Sequence, residues 1–222
     1  MTKEPKIYLF DMDHTLIDND CDVSWKEFVV RHNLGPADSM EKADYYYREY
    51  CAGTLDFNDF IRFQLAEFKD NNEVEMASLA DWHFNEFVKD KIYPDAMKLV
   101  RSLLAANKIV AILSSTNRVV AAPVARAFGI RYMLTPDLEM VRGNWYTGYL
   151  RGGYPVGLGK VGAAKHFCSI FKASLAESAY YGDAVLDQYL LSEVGFPSVV
   201  NPHPELAALA KKNHWPELTW TR

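Results

Sequence analysis

The chain of 222 residues lacks any apolar run approaching the ~20 residues a helix needs to cross a bilayer, which excludes a helical membrane span. It has little cysteine: Cys21, Cys51 and Cys168 form an odd, scattered set without C-x-x-C spacing. Such a set supplies neither a disulfide framework nor a zinc site, and it points to a reducing compartment. Basic residues are not in excess. The 24 Lys and Arg stand against 29 Asp and Glu, and the resulting net charge of −5 argues against nucleic acid as a partner. Met1 to Pro5 run straight into a strand pattern and do not read as a signal peptide, so a cytoplasmic protein is expected.

With 49% hydrophobic and 24% charged residues, the composition is that of an ordinary globular protein able to build a core. The length allows one large domain, or a core domain with a smaller insert. The informative stretch is Lys6-Ile7-Tyr8-Leu9-Phe10-Asp11-Met12-Asp13. A short apolar run rich in β-formers that stops at two carboxylates reads as a buried strand. Ligands of open α/β sheets bind beyond the carboxyl ends of the strands, so Asp11 and Asp13 belong in a crevice. Carboxylates so close repel unless a cation or a shared proton intervenes. Mg²⁺ takes oxygen ligands and commonly brings a phosphate with it.

Residues 18–92 carry apolar positions at three-to-four spacing, which predicts helices over 22–31, 39–50, 56–68 and 75–88 and no strand. Gly53 reads as a helix stop, and Asp56-Phe57-Asn58-Asp59 as the next helix start. The aromatics Tyr45, Tyr46, Tyr47, Phe57, Phe60 and Phe63 are expected to include the core of this insert. From Tyr93 the pattern alternates. A helix over 94–106 with Asn107 as its stop precedes a strand over 108–113 that ends at Ser114-Ser115-Thr116. A helix over 119–128 ends at Gly129, and Pro123, which costs about 3 kcal/mol inside a helix, predicts a break or a late start. A strand over 131–134 and a hairpin over 138–150, turning at Arg142-Gly143-Asn144, come next. A helix from Lys160 to about Phe171 and strands over 179–181 and 197–200 lead to a last helix over 204–212. Gly157-Leu158-Gly159-Lys160 invites comparison with a Walker loop, but Tyr154 and Val161 break that spacing.

Alternating strands and helices imply right-handed parallel crossovers. The expected fold is α/β: a doubly wound, Rossmann-like parallel sheet with an all-helical cap inserted after the first strand. Residues 1–17 and 93–222 would form the core domain and residues 18–92 the cap.

Asp11 with Asp13, Ser114, and Asp183 with Asp187 all follow strands, and Lys160 opens a helix. In a parallel sheet those ends share one edge, so the carboxylates, one ammonium and one hydroxyl form a site for a phosphoryl dianion. Asp11-Met12-Asp13-His14-Thr15, Ser114, Lys160 and Gly182-Asp183 with Asp187 resemble, in order, the four motifs of the haloacid-dehalogenase-like (HAD) phosphatases. The resemblance spans nearly the whole chain. The position of the helical insert is similar to that of the phosphoserine-phosphatase branch, subfamily IB. Asp20-Cys21-Asp22 with Trp25 is similar to a bacterial group within it that includes phosphoserine and histidinol phosphatases.

The resemblance implies a Mg²⁺-dependent phosphomonoesterase acting on a small phosphorylated metabolite, as a monomer or homodimer. Asp11 would be the nucleophile and form an aspartyl-phosphate. Asp13 would be the general acid and then the general base, an acid that a dehalogenase does not need. Asp11, the backbone carbonyl of Asp13 and Asp183 would hold the metal, with Asp187 orienting them from behind. Lys160 and Ser114 would grip the phosphoryl oxygens, with Ser115 lining the same pocket. Two departures stand out: Ala184 replaces a small polar residue or glycine, and Ser115-Thr116 replaces a pair of glycines common in phosphoserine phosphatases.

Asp20 matches an acid of those enzymes and suits an ammonium or imidazolium group. Gln64 falls where their lid arginine pairs the serine carboxylate, and Arg62 lies two residues earlier on another helix face. An amino-phosphate without a carboxylate follows, histidinol phosphate first and phosphocholine or phosphoethanolamine behind it. Phosphoserine is the alternative substrate, and a receiver that only accepts a phosphoryl group is an alternative of another class. His14, His83, His166 and His214 receive no catalytic role; the last three are expected as helix or surface residues.

Overall fold

The computed structural model describes residues 4–52, 54–142 and 144–222; Gly53 and Gly143, read above as a helix stop and a turn residue, lie outside the described residues. The chain begins with β1 (Ile7–Phe10), followed by helices α1 (Cys21–Arg31), α2 (Ser39–Ala52), α3 (Phe57–Gln64) and α4 (Glu73–His83). Next come α5 (Pro94–Ala105), β2 (Ile109–Leu113), α6 (Arg118–Phe128) and β3 (Tyr132–Leu134). Strands β4 (Asp137–Val141) and β5 (Trp145–Arg151) form an antiparallel hairpin ahead of α7 (Leu158–Ile170) and β6 (Ser178–Gly182). The chain closes with α8 (Gln188–Leu191), β7 (Phe196–Val200), α9 (Pro204–Asn213) and β8 (Glu217–Leu218).

Six strands pair in parallel in the order β3-β2-β1-β6-β7-β8. Central β1 is apolar on both faces because both are covered. Ile7 and Leu9 pack with Val161, Phe167 and Leu206 of α7 and α9. Tyr8 and Phe10 face the other way, into a cluster with Val100, Val124 and Phe128 of α5 and α6. This is the doubly wound arrangement expected from the alternating pattern. Strand β8 was not legible, since two residues carry no period.

The insert after β1 is helical, with Trp25, Phe28, Ile61, Leu65, Phe68 and Met76 buried at its centre. Full burial of rings such as Phe28 and Phe68 stabilises by about 1.5–3 kcal/mol each. The expected aromatic core is corrected: Tyr47 is 70% exposed, and Tyr45 and Phe57 are also exposed. Tyr46, Phe60 and Phe63 pack, half-buried, along the α2–α3 seam, with Tyr46 5.0 Å from Phe63. The chain enters and leaves the insert side by side, joined by an Ile17–Ile92 bridge and by Asp18 N–H to Lys91 O at 2.8 Å. The β4–β5 hairpin leans on the insert rather than on the sheet. Tyr146 N–H donates to Asn71 O at 2.9 Å, Asp70 N–H to Tyr146 O at 3.0 Å and Glu73 N–H to Asn144 O at 2.9 Å.

Three helices differ from expectation. The helix expected over 56–68 stops at Gln64, where buried Lys26 Nζ takes the carbonyl of Phe63 at 2.7 Å and pairs with Glu67 at 2.6 Å. The helix expected over 75–88 begins at Glu73 because Asn72 caps it, and it widens into a π-turn over 84–88. The expected break at Pro123 does not occur. Asn117 caps α6 by accepting from Val119 N–H at 3.1 Å and Val120 N–H at 3.2 Å, and the buried proline forfeits one backbone bond within an unbroken helix. His83, expected in a helix or at the surface, is a fully buried helix residue whose Nε2 meets Ser24 Oγ at 2.9 Å.

Candidate active site

Strand register brings three of the strand ends together. Phe10 pairs with Ile112 on one side and Tyr181 on the other. Asp11 therefore leaves the sheet between Ser114, two residues beyond Ile112, and Asp183, two residues beyond Tyr181.

Asp11 Oδ1 accepts from Met12 N–H at 2.8 Å, and Oδ2 accepts from Lys160 Nζ at 2.8 Å. Lys160 sits in the first turn of α7, where the helix dipole disfavours a cation, so carboxylates must hold it there. It also donates to Asp187 Oδ1 at 2.7 Å and to the Tyr180 hydroxyl at 3.0 Å, and that hydroxyl donates to Asp187 Oδ1 at 2.6 Å. Asp187 Oδ2 accepts the backbone N–H groups of Asp183 at 3.2 Å and Ala184 at 3.1 Å. A Cβ on Gly182 would lie 2.5 Å from that oxygen, so only glycine lets the turn close this tightly. Asp183 Oδ1 accepts from the Thr15 hydroxyl at 2.9 Å.

Ligand oxygens of Asp11, Asp183 and Asp187 lie within 4.8 Å of one another. Burial pushes Asp11 up to about 6; Lys160 pulls it back, and Asp187 pushes it up again. Burial, then the charges of Asp11 and Asp187, raise Asp183. Burial by itself would lower Lys160, but Asp11 and Asp187 outweigh that and hold it above its ordinary value. One ammonium thus faces more negative charge than it balances. An all-oxygen donor set at this spacing fits a hard divalent cation, whose ligands stand about 2.1 Å from the ion for Mg²⁺.

The Asp13 carboxylate turns away from that group. Its Oδ1 accepts from Cys21 N–H at 2.9 Å and its Oδ2 from the Thr116 hydroxyl at 2.6 Å. Burial and the Asp20 charge push Asp13 up to about 7, against the pull of the Thr116 hydrogen bond. Buried Ser114 accepts from Thr116 N–H at 3.1 Å, so one turn after β2 touches both phosphoryl-gripping and acid/base candidates. Tyr154 lies beside Ser115, and its ring meets Phe57 edge-on at 5.0 Å. That contact joins the insert to the loop following the hairpin. Burial raises Tyr154, and the Asp22 carboxylate adds to it.

Asp20 is exposed and caps α1 through Val23 N–H at 2.9 Å. Gln64 is half-buried at the end of α3, its carbonyl 3.4 Å from Lys26 Nζ. Arg62 pairs with Asp59 at 3.1 Å and lines a groove of the insert with Pro36, Lys42 and Tyr46, apart from the strand-end carboxylates. Asp18 pairs with Arg222 at 3.1 Å. The structure thus groups Asp11, Asp13, Ser114, Lys160, Asp183 and Asp187 and leaves Arg62 outside. Thr15, Thr116, Tyr154 and Tyr180 were missed as contributors; Thr15, Thr116 and Tyr180 lie inside or near a motif and Tyr154 in the loop before Lys160, but their directions depend on turns that pattern does not encode.

Residues 8–192 match the model of the haloacid dehalogenase-like hydrolase family. A histidinol-phosphatase of Neisseria meningitidis serogroup C (strain 8013) is 31% identical over 96% of this chain and 97% of its own length. A solved protein of Bordetella pertussis Tohama I superposes with a TM-score of 0.89 at 30% identity, covering 97% of this chain and 98% of that one. A substrate-bound phosphoserine phosphatase shares the fold, with a TM-score of 0.68 at 18% identity over 97% of this chain and 93% of that one.

Proposed function

The chain belongs to the haloacid dehalogenase-like hydrolase family, and from that membership we propose a Mg²⁺-dependent phosphomonoesterase that works through an aspartyl-phosphate on Asp11. The observation that carries this is the Lys160–Asp11 contact at 2.8 Å beside the Asp11, Asp183 and Asp187 oxygens. Asp11, the Asp13 carbonyl and Asp183 would hold the metal, which would screen the phosphoryl charge from the attacking carboxylate. Asp11 attacks phosphorus while Asp13 gives its proton to the departing alkoxide; Asp13 then takes a proton from the water that hydrolyses the acyl phosphate. Lys160 trades its bond to Asp11 for a phosphoryl oxygen, and the Ser114 hydroxyl supplies a neutral donor beside it. Asp187 and Tyr180 keep Lys160 in place throughout. We take residues 18–92 as a cap over this edge and residues 1–17 with 93–222 as the core. The enzyme would act in the cytoplasm as a monomer or homodimer; no helix among the described residues is long and apolar enough to cross a membrane.

For the substrate we propose a cationic amino-phosphate, with histidinol phosphate first. Exposed Asp20 puts negative charge on the insert side of the site, enough to push Asp13 up, whereas burial drives Asp22 towards its neutral form. A substrate carboxylate needs a cation instead. Arg62 is paired with Asp59, and Lys26 is buried against Glu67. The likeness to the Neisseria histidinol-phosphatase supports the same choice. L-Phosphoserine is the competing substrate, supported by the shared fold. Comparison of kcat/KM for L-histidinol phosphate and L-phosphoserine with Mg²⁺ decides between them. The expected result is a preference for histidinol phosphate of at least roughly tenfold, of the size a mismatched buried charge imposes; a preference for phosphoserine overturns the substrate assignment.

A further inference from the structure

The two oxygens of Asp13 are held from two different segments of the chain. Oδ1 takes the N–H of Cys21, the first residue of α1 in the insert, at 2.9 Å. Oδ2 takes the hydroxyl of Thr116, in the turn after β2 of the sheet, at 2.6 Å. Thr116 is fully buried, and a β-branched side chain in that state has its hydroxyl direction fixed. A hydroxyl has one proton to give, and here an unprotonated Asp13 oxygen receives it. The same residue's backbone N–H is spent on Ser114 Oγ at 3.1 Å. Thr116 is thus committed at both ends, to the phosphoryl-gripping serine and to the acid/base candidate.

We propose that Thr116 is a positioning residue that, together with the Cys21 amide, fixes the rotamer of Asp13 so that its proton is aimed at the leaving oxygen. The inference rests on the acid/base reading of Asp13 given above. In the first half-reaction an Asp11 oxygen bonds to phosphorus, and the ester P–O bond breaks. Its electron pair takes the Asp13 proton, and the alcohol departs. Asp13 is left as a carboxylate, the form that both donors stabilise. In the second half-reaction Asp13 takes a proton from water as that oxygen bonds to phosphorus. The bond to Asp11 breaks and inorganic phosphate leaves, with Asp13 protonated again. Because one donor belongs to the insert and the other to the sheet, the acid is correctly aimed only while the start of α1 lies against the β2 turn.

The test measures the phosphorylation step in single turnovers for the parent, Thr116→Val, Thr116→Ser and Asp13→Asn. The substrates are an alkyl phosphate, phenyl phosphate and p-nitrophenyl phosphate. Poor leaving groups need the proton and good ones do not. Thr116→Val is expected to lose roughly 10²-fold on the alkyl ester, with KM little changed, and only about threefold in the nitrophenol burst. Thr116→Ser, which keeps the hydroxyl, should stay within about threefold of the parent on every ester. Thr116→Ala makes the same comparison if the valine variant does not fold. Equal losses on all three esters, a serine variant as impaired as valine, or no loss at all overturns the role of Thr116. If Asp13→Asn itself shows no dependence on the leaving group, the acid/base reading fails first and takes this inference with it. A leaving-group dependence in Asp13→Asn without one in Thr116→Val refutes the inference alone.

Discussion

Lys160 Nζ lies 2.8 Å from Asp11 Oδ2, although 149 residues separate them in the chain. The pair fixes the nucleophile candidate at the edge of the sheet, and it makes the two residues unequal in what their loss should do.

Asp11→Asn keeps the shape of the side chain and removes the only group there that can bond covalently to phosphorus. Turnover of p-nitrophenyl phosphate should fall below detection, while the fold, read by circular dichroism, stays that of the parent. Activity within tenfold of the parent rules out the nucleophile assignment.

Lys160→Ala should harm kcat/KM more than Ser114→Ala. Lysine brings a full charge to the phosphoryl group and also offsets Asp11 and Asp187, whereas the serine brings one neutral hydrogen bond. Loss of a single preorganised donor costs roughly 10²–10³-fold, so the serine variant belongs at or below that range and the lysine variant above it. Equal losses on one substrate refute the ranking.

Chelation with EDTA should abolish turnover, and Mg²⁺ should restore it while Ca²⁺, with longer and looser coordination, should not. A readout independent of turnover comes from melting. Added Mg²⁺ should raise the melting temperature of the parent because it relieves the crowded Asp11, Asp183 and Asp187 carboxylates, and Asp183→Asn should lose most of that rise. An unchanged shift in the variant places the metal elsewhere.

His83 gives a pH dependence with a definite sign. Burial pushes it down from 6.5 to about 4, so it is neutral when folded, and the unfolded chain binds the proton more readily. Its contribution is fully present above pH 6.5 and is lost as pH falls towards 4, on the order of 3 kcal/mol over the window. Denaturant melts at pH 7 and pH 4.5 should show a smaller loss for His83→Gln than for the parent, since the amide does not titrate. Parallel losses would mean that the imidazole takes up its proton in the folded protein as readily as in the unfolded chain, so that burial does not depress it.

Much of this site was legible before any coordinates. Asp11, Ser114 and Asp183 each follow an apolar run that only a buried strand explains, and parallel pairing then forces their ends to one edge. Lys160 was legible as a charge at a helix start. In the insert the period showed helices but not which aromatics lie inside. Tyr45 and Tyr47 share a helix with Tyr46, yet both are exposed while Tyr46 packs against Phe60 and Phe63 of α3, because the angle between helices decides which stripe is covered.

Local periodicity and chain connectivity set the order of strands and helices apart from β8, the apolar faces and the residue types waiting at the strand ends. The tertiary structure alone decided where side chains point once the strands end. Asp13 turns to Thr116, 103 residues away, Arg62 turns to Asp59, and Tyr180 reaches Lys160 through a hydroxyl in an otherwise apolar strand. Those directions come from turns, caps and hydrogen bonds between distant segments, whose partners are set by three-dimensional closure and not by spacing along the chain.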